Sequence, residues 1–156
     1  MINVIIERAG LQDLKEILQL QKKAFITEAE LHGNYNIEPL KQTYDSILSD
    51  FEKYSFLKAV NGNVIIGSVK FRVINHIVWV GKLIVDPLFR KQGLGRKLLL
   101  EVEKINPEAV KFQLFTAASS IQNIRLYEAV GYVVCGKYKD ENQAGLEMVE
   151  MIKCRL

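Results

Sequence analysis

The residues best suited to chemistry lie between Val85 and Lys104, in the run VDPLFRKQGLGRKLLLEVEK. Two glycines, Gly93 and Gly95, and four cations, Arg90, Lys91, Arg96 and Lys97, fall where an apolar segment gives way to a helical pattern. A helix N-terminus presents unpaired N–H groups and the positive end of the helix dipole, so an anion is favoured there. Glycines remove side chains that would hold a phosphate away, and the cations add longer-range attraction. A glycine-rich turn on a solvated basic face has the same spacing, so the flanking elements must decide. Nucleotide alternatives fit poorly. Leu98 stands where a dinucleotide fingerprint needs its third glycine, and no Gly, Lys, Ser or Thr cluster supplies a Walker loop.

The elements that position this turn are legible from periodicity. Residues 2–7 read as a strand, and Leu14, Ile17, Leu18 and Phe25 recur at helical spacing over about 11–26. The punctuated stretch ITEAELHGNYNIEP follows as a loop long enough to shape a pocket, and a second helical pattern runs from Pro39 to Phe51. Strands over 56–60 and 64–74 are joined by NGN, with Asn61 and Gly62 suited to positive φ. Val69, Phe71 and Val73 alternate with Ser68, Lys70 and Arg72, which predicts one dry and one wet face. Ile77–Val85 is almost continuously apolar, as a central strand covered on both faces requires. A helix carrying Leu94, Leu98, Leu99, Val102 and Ile105 ends at Asn106-Pro107, and Val110, Phe112 and Leu114 alternate in the next strand. Strand, helix and strand form a βαβ unit with parallel strands. A last helix over about 120–130, stopped by Gly131, precedes strands at 132–139 and 146–154 with a hairpin around DENQAG. The sum is an α/β chain forming one domain over 1–156, with a mixed central sheet of about seven strands and about four helices.

Composition narrows the class. At 156 residues, 49% hydrophobic and 25% charged, the chain is an ordinary globular domain with a full core. No run reaches the length of a membrane span, and Glu7 breaks any signal-peptide core, so no membrane association and a cytoplasmic location are expected. Cys135 and Cys154 lack metal-binding spacing, so no metal site is expected. The net charge of +3 is too small for bulk nucleic-acid binding. Without Arg90, Lys91, Arg96 and Lys97, acidic residues outnumber basic ones. The positive excess is local, which favours a compact anion over a polyanionic lattice.

At RKQGLG the sequence resembles the GNAT superfamily, the Gcn5-related N-acetyltransferases. Their acyl-CoA motif is Gln or Arg, two residues, Gly, one residue, then Gly or Ala, matched by Arg90, Gly93 and Gly95. LIVDPLFRKQGLGRKLL follows the family's strand, short loop and helix, and the element order over 2–154 is similar to the whole GNAT fold. The resemblance implies that amides from Arg90 through Lys91, Gln92, Gly93, Leu94 and Gly95 to Arg96 cradle the CoA pyrophosphate. It implies too that Leu83, Ile84 and Val85 bind pantetheine through their backbone, at a bulged strand splayed from its parallel neighbour. SSIQNIRLYEAVGY resembles the family's helix into Leu, Tyr, Glu and a glycine-aromatic pair, so Tyr127 takes the general-acid position that protonates the departing CoA sulfur. Many relatives have asparagine seven residues before that tyrosine. Here Ser120 stands there, and Asn123, four before it, shares a helix face with it and is the residue expected to bind the cofactor.

The implied activity is direct transfer of acetyl from acetyl-CoA to a primary amine of a small molecule or peptide in a ternary complex. An alkylamine with a pKa near 10 must lose a proton first, at a cost of about 4 kcal/mol at pH 7. An amide near Ile84 or Val85 would stabilise the oxyanion before Tyr127 acts. Neither cysteine has a recognisable histidine partner nearby in sequence for a covalent route. Glu28, Glu30, His32 and Glu38 cluster on the acceptor side as candidate proton relays or amine ligands. Tyr35 and Trp79 are candidates to shape the acceptor pocket; His76 is read as a turn residue. Two competing readings stand, a non-catalytic acyl-CoA sensor or interaction module and a phosphate-binding module unrelated to CoA. A homodimer through the last strands is compatible with the family.

Overall fold

The computed structural model describes residues 3–155. Its strands are β1 (Val4–Arg8), β2 (Ser55–Asn61), β3 (Val64–Ile74), β4 (Ile77–Val85), β5 (Lys111–Ala117), β6 (Val133–Asp140) and β7 (Leu146–Cys154). Its helices are α1 (Leu14–His32), α2 (Glu38–Lys41), α3 (Tyr44–Lys53), α4 (Leu94–Lys104) and α5 (Ile121–Val130). The strands form one sheet in the order β1-β2-β3-β4-β5-β7-β6. Every neighbouring pair is antiparallel except β4–β5, the parallel pair expected of the βαβ unit.

The hairpins follow turn chemistry. Gly62 takes φ of 64° between β2 and β3, while Asn61 stays within β2 without positive φ. Asn75 and His76 take φ of 52° and 65° between β3 and β4, so His76 is a turn residue. The first strand begins at Val4 rather than 2; Ile2 lies outside the described residues.

Two apolar layers sandwich the sheet. Leu57, Val69, Phe71, Val78, Leu98, Leu99 and Phe112 join β2–β5 to α4, whereas Leu14, Ile17, Leu18, Ile47, Phe56 and Ile65 join the other face to α1 and α3. Coverage on both sides corrects the dry-and-wet reading of β3. Ser68 is 1% exposed and donates a hydrogen bond to the Leu57 carbonyl at 2.8 Å, while Val73, near the strand's uncovered end, is 50% exposed. Lys70 meets Asp50 of α3 at 2.9 Å, with Tyr54 beneath its ammonium. Val110, expected in the alternation of the next strand, lies before β5 and is exposed.

Two helix boundaries differ from expectation. The first helix runs on to His32, where Gly33 closes it with φ of 64°; Glu28, Glu30 and His32 are therefore helical rather than on a loop. The second helical pattern is split. Gln42 is extended, and the Thr43 hydroxyl accepts the Ser46 amide at 3.1 Å to start α3 separately from the single turn of α2.

Candidate active site

The central strand carries the irregularity on which the site depends. Ser68 pairs with Ile84 and Lys70 with Gly81, so Lys82 and Leu83 together oppose Val69, a β-bulge with Lys82 at φ of 45°. An extra residue reverses the faces. Val78 and Val80 pack toward α4, but Ile84 packs toward α1, and Leu83 and Val85 turn to the α4 layer.

The bulge also ends the parallel ladder. β4 pairs with β5 only from Ile77 to Val80, against Lys111 to Leu114. Beyond it Asp86 donates its amide to Ile66 of β3 at 2.8 Å. Successive residues of a strand point their amides to opposite edges, so Ile84 faces β3 and Val85 faces the side where β5 has diverged. This corrects the expectation for Ile84. The edge amide belongs to Val85, and the Ile84 side chain lies buried in the α1 layer.

A groove of about 1080 Å³ opens at the splay, bounded by β4, the turn into α4 and the start of α5. Gly93 caps α4 with φ of 79°, and a Cβ placed there would meet nothing within 4 Å. The first helical hydrogen bond is from Lys97 to Gly93 at 3.0 Å, so the helix leaves the amides of Leu94, Gly95 and Arg96 unclaimed. Arg90, Lys91, Arg96 and Arg125 line the same groove. Arg90 is anchored by a hydrogen bond from its guanidinium to the Ala24 carbonyl at 3.0 Å. The Ser120 hydroxyl is buried there without a partner among the described residues. Gln92 is exposed and does not line the groove; the Leu94 side chain is buried in the core. Gly95 lines the groove and also packs closely, since a Cβ on it would sit 2.9 Å from Leu126 Cδ2.

A second, smaller cavity of about 200 Å³ adjoins the groove. Glu28, His32, Leu83 and Asn123 line both, while Tyr127 lines only the second. Phe25, Glu28, Ala29 and His32 are spaced at i, i+3, i+4 and i+7, so the added turns of α1 present one face to this cavity. Burial pushes the Glu28 carboxyl above its ordinary range, and the charges of His32 and Arg90 pull it part of the way back. Burial also raises the Tyr127 phenol, with the Glu28 charge adding to the effect. The His32 Nε2 atom is buried without a partner among the described residues.

Glu30 and Tyr35 are exposed and do not line this cavity. Trp79 stacks on Phe115 at 6.2 Å, and it is Phe115 that lines the cavity. Lys82 was not singled out from the sequence. Its signal was a lone charge beside Gly81 in a buried strand, a combination that marks bulges. Its ammonium donates to Glu38 Oε1 at 2.8 Å and to Gln42 Oε1 at 2.6 Å. Burial lowers its pKa, and Glu38 partly restores it. The Gln143 side chain accepts the Glu38 amide at 2.8 Å, tying α2 to the β6–β7 connection. Among the described residues no group of three or more His, Cys, Asp or Glu side chains could hold a metal ion.

Residues 13–132 match the family model described as Acetyltransferase (GNAT) family. The chain is 30% identical over 118 residues to the UPF0157 protein YqkA of Bacillus subtilis, covering 76% of this chain and 34% of that one. It is 32% identical over 119 residues to N-alpha-acetyltransferase 30 of Dictyostelium discoideum, covering 73% and 62%. The chain thus spans about a third of the first relative and less than two thirds of the second. In fold it is similar to the PaiA N-acetyltransferase of Thermoplasma acidophilum, solved in complex with coenzyme A. That likeness has a TM-score of 0.83, 19% identity and coverage of 98% and 99%.

Proposed function

This chain belongs to the GNAT acetyltransferase family, and from that premise we propose that it transfers acetyl from acetyl-CoA directly to a primary amine of a small molecule or peptide. The observation that carries this reading is the meeting of a basic groove with a smaller cavity at Glu28, His32, Leu83 and Asn123, beside Tyr127.

The residues present fit an acyl-CoA. Four cations and three unclaimed helix amides suit its phosphates, the open space over Gly93 admits them, and the orphaned Ser120 hydroxyl awaits a partner. The edge of β4 beyond Val80, lacking β5, suits the amides of pantetheine. When bound, the donor supplies an activated thioester.

The chain's own groups do the remaining work. Glu28, a half-buried carboxylate with raised proton affinity, holds the ammonium and takes its proton. The Val85 amide, on the edge of β4 that β5 leaves open, would be the donor available to charge on the acyl oxygen. Tyr127 keeps its proton, because burial disfavours the phenolate, and gives it to the departing sulfur.

The test is Tyr127→Phe, read by thiol release and by calorimetry. Turnover falls about 10²–10⁴-fold while acetyl-CoA binding is retained. Unchanged turnover would remove Tyr127 from the chemistry. Binding with no thiol release from the parent protein and any amine would identify a sensor instead.

A further inference from the structure

The adjoining cavity is mostly apolar, with Phe25, Ile37, Phe115, Leu146 and Met148 among its walls. Its four charge-bearing groups other than Tyr127 are Glu28, His32, Glu38 and Lys82. Glu38 is already neutralised by Lys82 at 2.7 Å, and the Lys82 side chain is only 15% exposed. Gln42 occupies a second donor position of that ammonium. Glu28, by contrast, has no hydrogen bond or ion pair with another side chain among the described residues, and it sits where the cavity meets the donor groove.

From this arrangement we propose that the acceptor carries one primary ammonium on an apolar body about the size of a large side chain. The inference rests on the acetyltransferase reading and names the substrate class of that same site. One carboxylate without an ion pair, with only the longer-range charges of His32 and Arg90 acting on it, matches one ammonium. A second ammonium would meet Lys82, a like charge, and would be desolvated without a partner. A carboxylate on the acceptor would find Lys82 occupied and Glu28 and Glu38 repelling it. The volume of about 200 Å³ is below the usual range for drug-sized ligands, so one substituent enters and anything larger extends outward. The same chemistry occurs in a free arylalkylamine and in the first residue of a peptide with an apolar N-terminal side chain.

The test measures kcat/KM by thiol release with saturating acetyl-CoA. The panel holds 2-phenylethylamine, a methionine-initiated tripeptide amide, the matching glycine-initiated tripeptide amide, and spermidine. Burial of an apolar side chain in the cavity predicts about tenfold or greater preference for the apolar acceptors over both glycine peptide and spermidine. The ratio of phenylethylamine to methionine peptide tells free amine from peptide. Lys82→Gln releases Glu38 and is expected to raise spermidine use relative to phenylethylamine by about tenfold. Spermidine or the glycine peptide equalling the apolar amines in the parent protein overturns this inference and leaves the acetyltransferase reading standing. No thiol release with any amine overturns both.

Discussion

Replacing Gly95 with alanine separates two roles that the motif glycines share in sequence. A Cβ at Gly95 lies 2.9 Å from Leu126 Cδ2, 3.7 Å from Leu83 Cδ2 and 3.9 Å from Val85 Cγ2. Carbon atoms prefer about 3.5–4.0 Å, so the first contact is repulsive and the Leu126 methyl must shift, while the other two are ordinary packing contacts that limit where it can go. Such overpacking costs about 1–3 kcal/mol, and the better helix propensity of alanine offsets up to about 1 kcal/mol of it. Gly95→Ala is therefore expected to lose about 1–2 kcal/mol, seen as a urea midpoint lower by about 1 M. Because Leu126 belongs to α5, which also carries Asn123 and Tyr127, its displacement lowers kcat/KM as well. Gly93→Ala differs. It meets no atom, and its left-handed φ of 79° costs about 1–2 kcal/mol without moving α5. A double-mutant cycle of Gly95→Ala with Leu126→Ala isolates the clash. The pair is expected to recover about 1 kcal/mol or more relative to additivity. Strict additivity would show that Gly95 does not serve the packing of α4 on α5.

The raised Glu28 carboxyl sets the acid side of the pH profile. As the proton acceptor it makes kcat/KM rise with pH through a midpoint above the ordinary 4.5, and Glu28→Gln removes that limb; an unchanged limb excludes it as base. On the alkaline side, burial holds the Tyr127 phenol above its ordinary value of 10, so no decline from its ionisation is expected up to about pH 10. Lys153 donates to both Glu103 oxygens, at 2.9 and 3.0 Å, and to the Val130 carbonyl at 2.6 Å. Lys153→Met strands the Glu103 carboxylate and is expected to cost about 3 kcal/mol in urea unfolding; a loss within about 0.5 kcal/mol would show that water replaces the lysine.

The sheet was readable because its signals are local. The NGN turn, the apolar run Ile77–Val85 and the glycine at 131 each announce an element through its own chemistry. The basic, glycine-containing turn into α4 was readable for the same reason, as Arg90, Gly93 and Gly95 lie in one short stretch. What was missed depends on partners distant in sequence. The last turns of α1 looked like a loop because the apolar stripe fades after Phe25. There the helix face meets a cavity and carries Glu28 and His32 in place of aliphatic residues. The i, i+3, i+4, i+7 spacing persists across the change, and that continuity was the available signal. Lys82 was hidden in a strand read as uniformly buried. Its partners, Glu38 and Gln42, are about forty residues away, so only the fold brings them together. The two glycines of the motif look alike in sequence, and only the position of Leu126 tells the packing glycine from the open one.

Calorimetric titration with acetyl-CoA, CoA and ATP addresses the groove on which every later step depends. One acetyl-CoA is expected per chain, with no competition from ATP and binding about tenfold or more weaker in Gly93→Glu, whose carboxylate would face the phosphates. No heat with acetyl-CoA, or equal affinity for ATP, would contradict it.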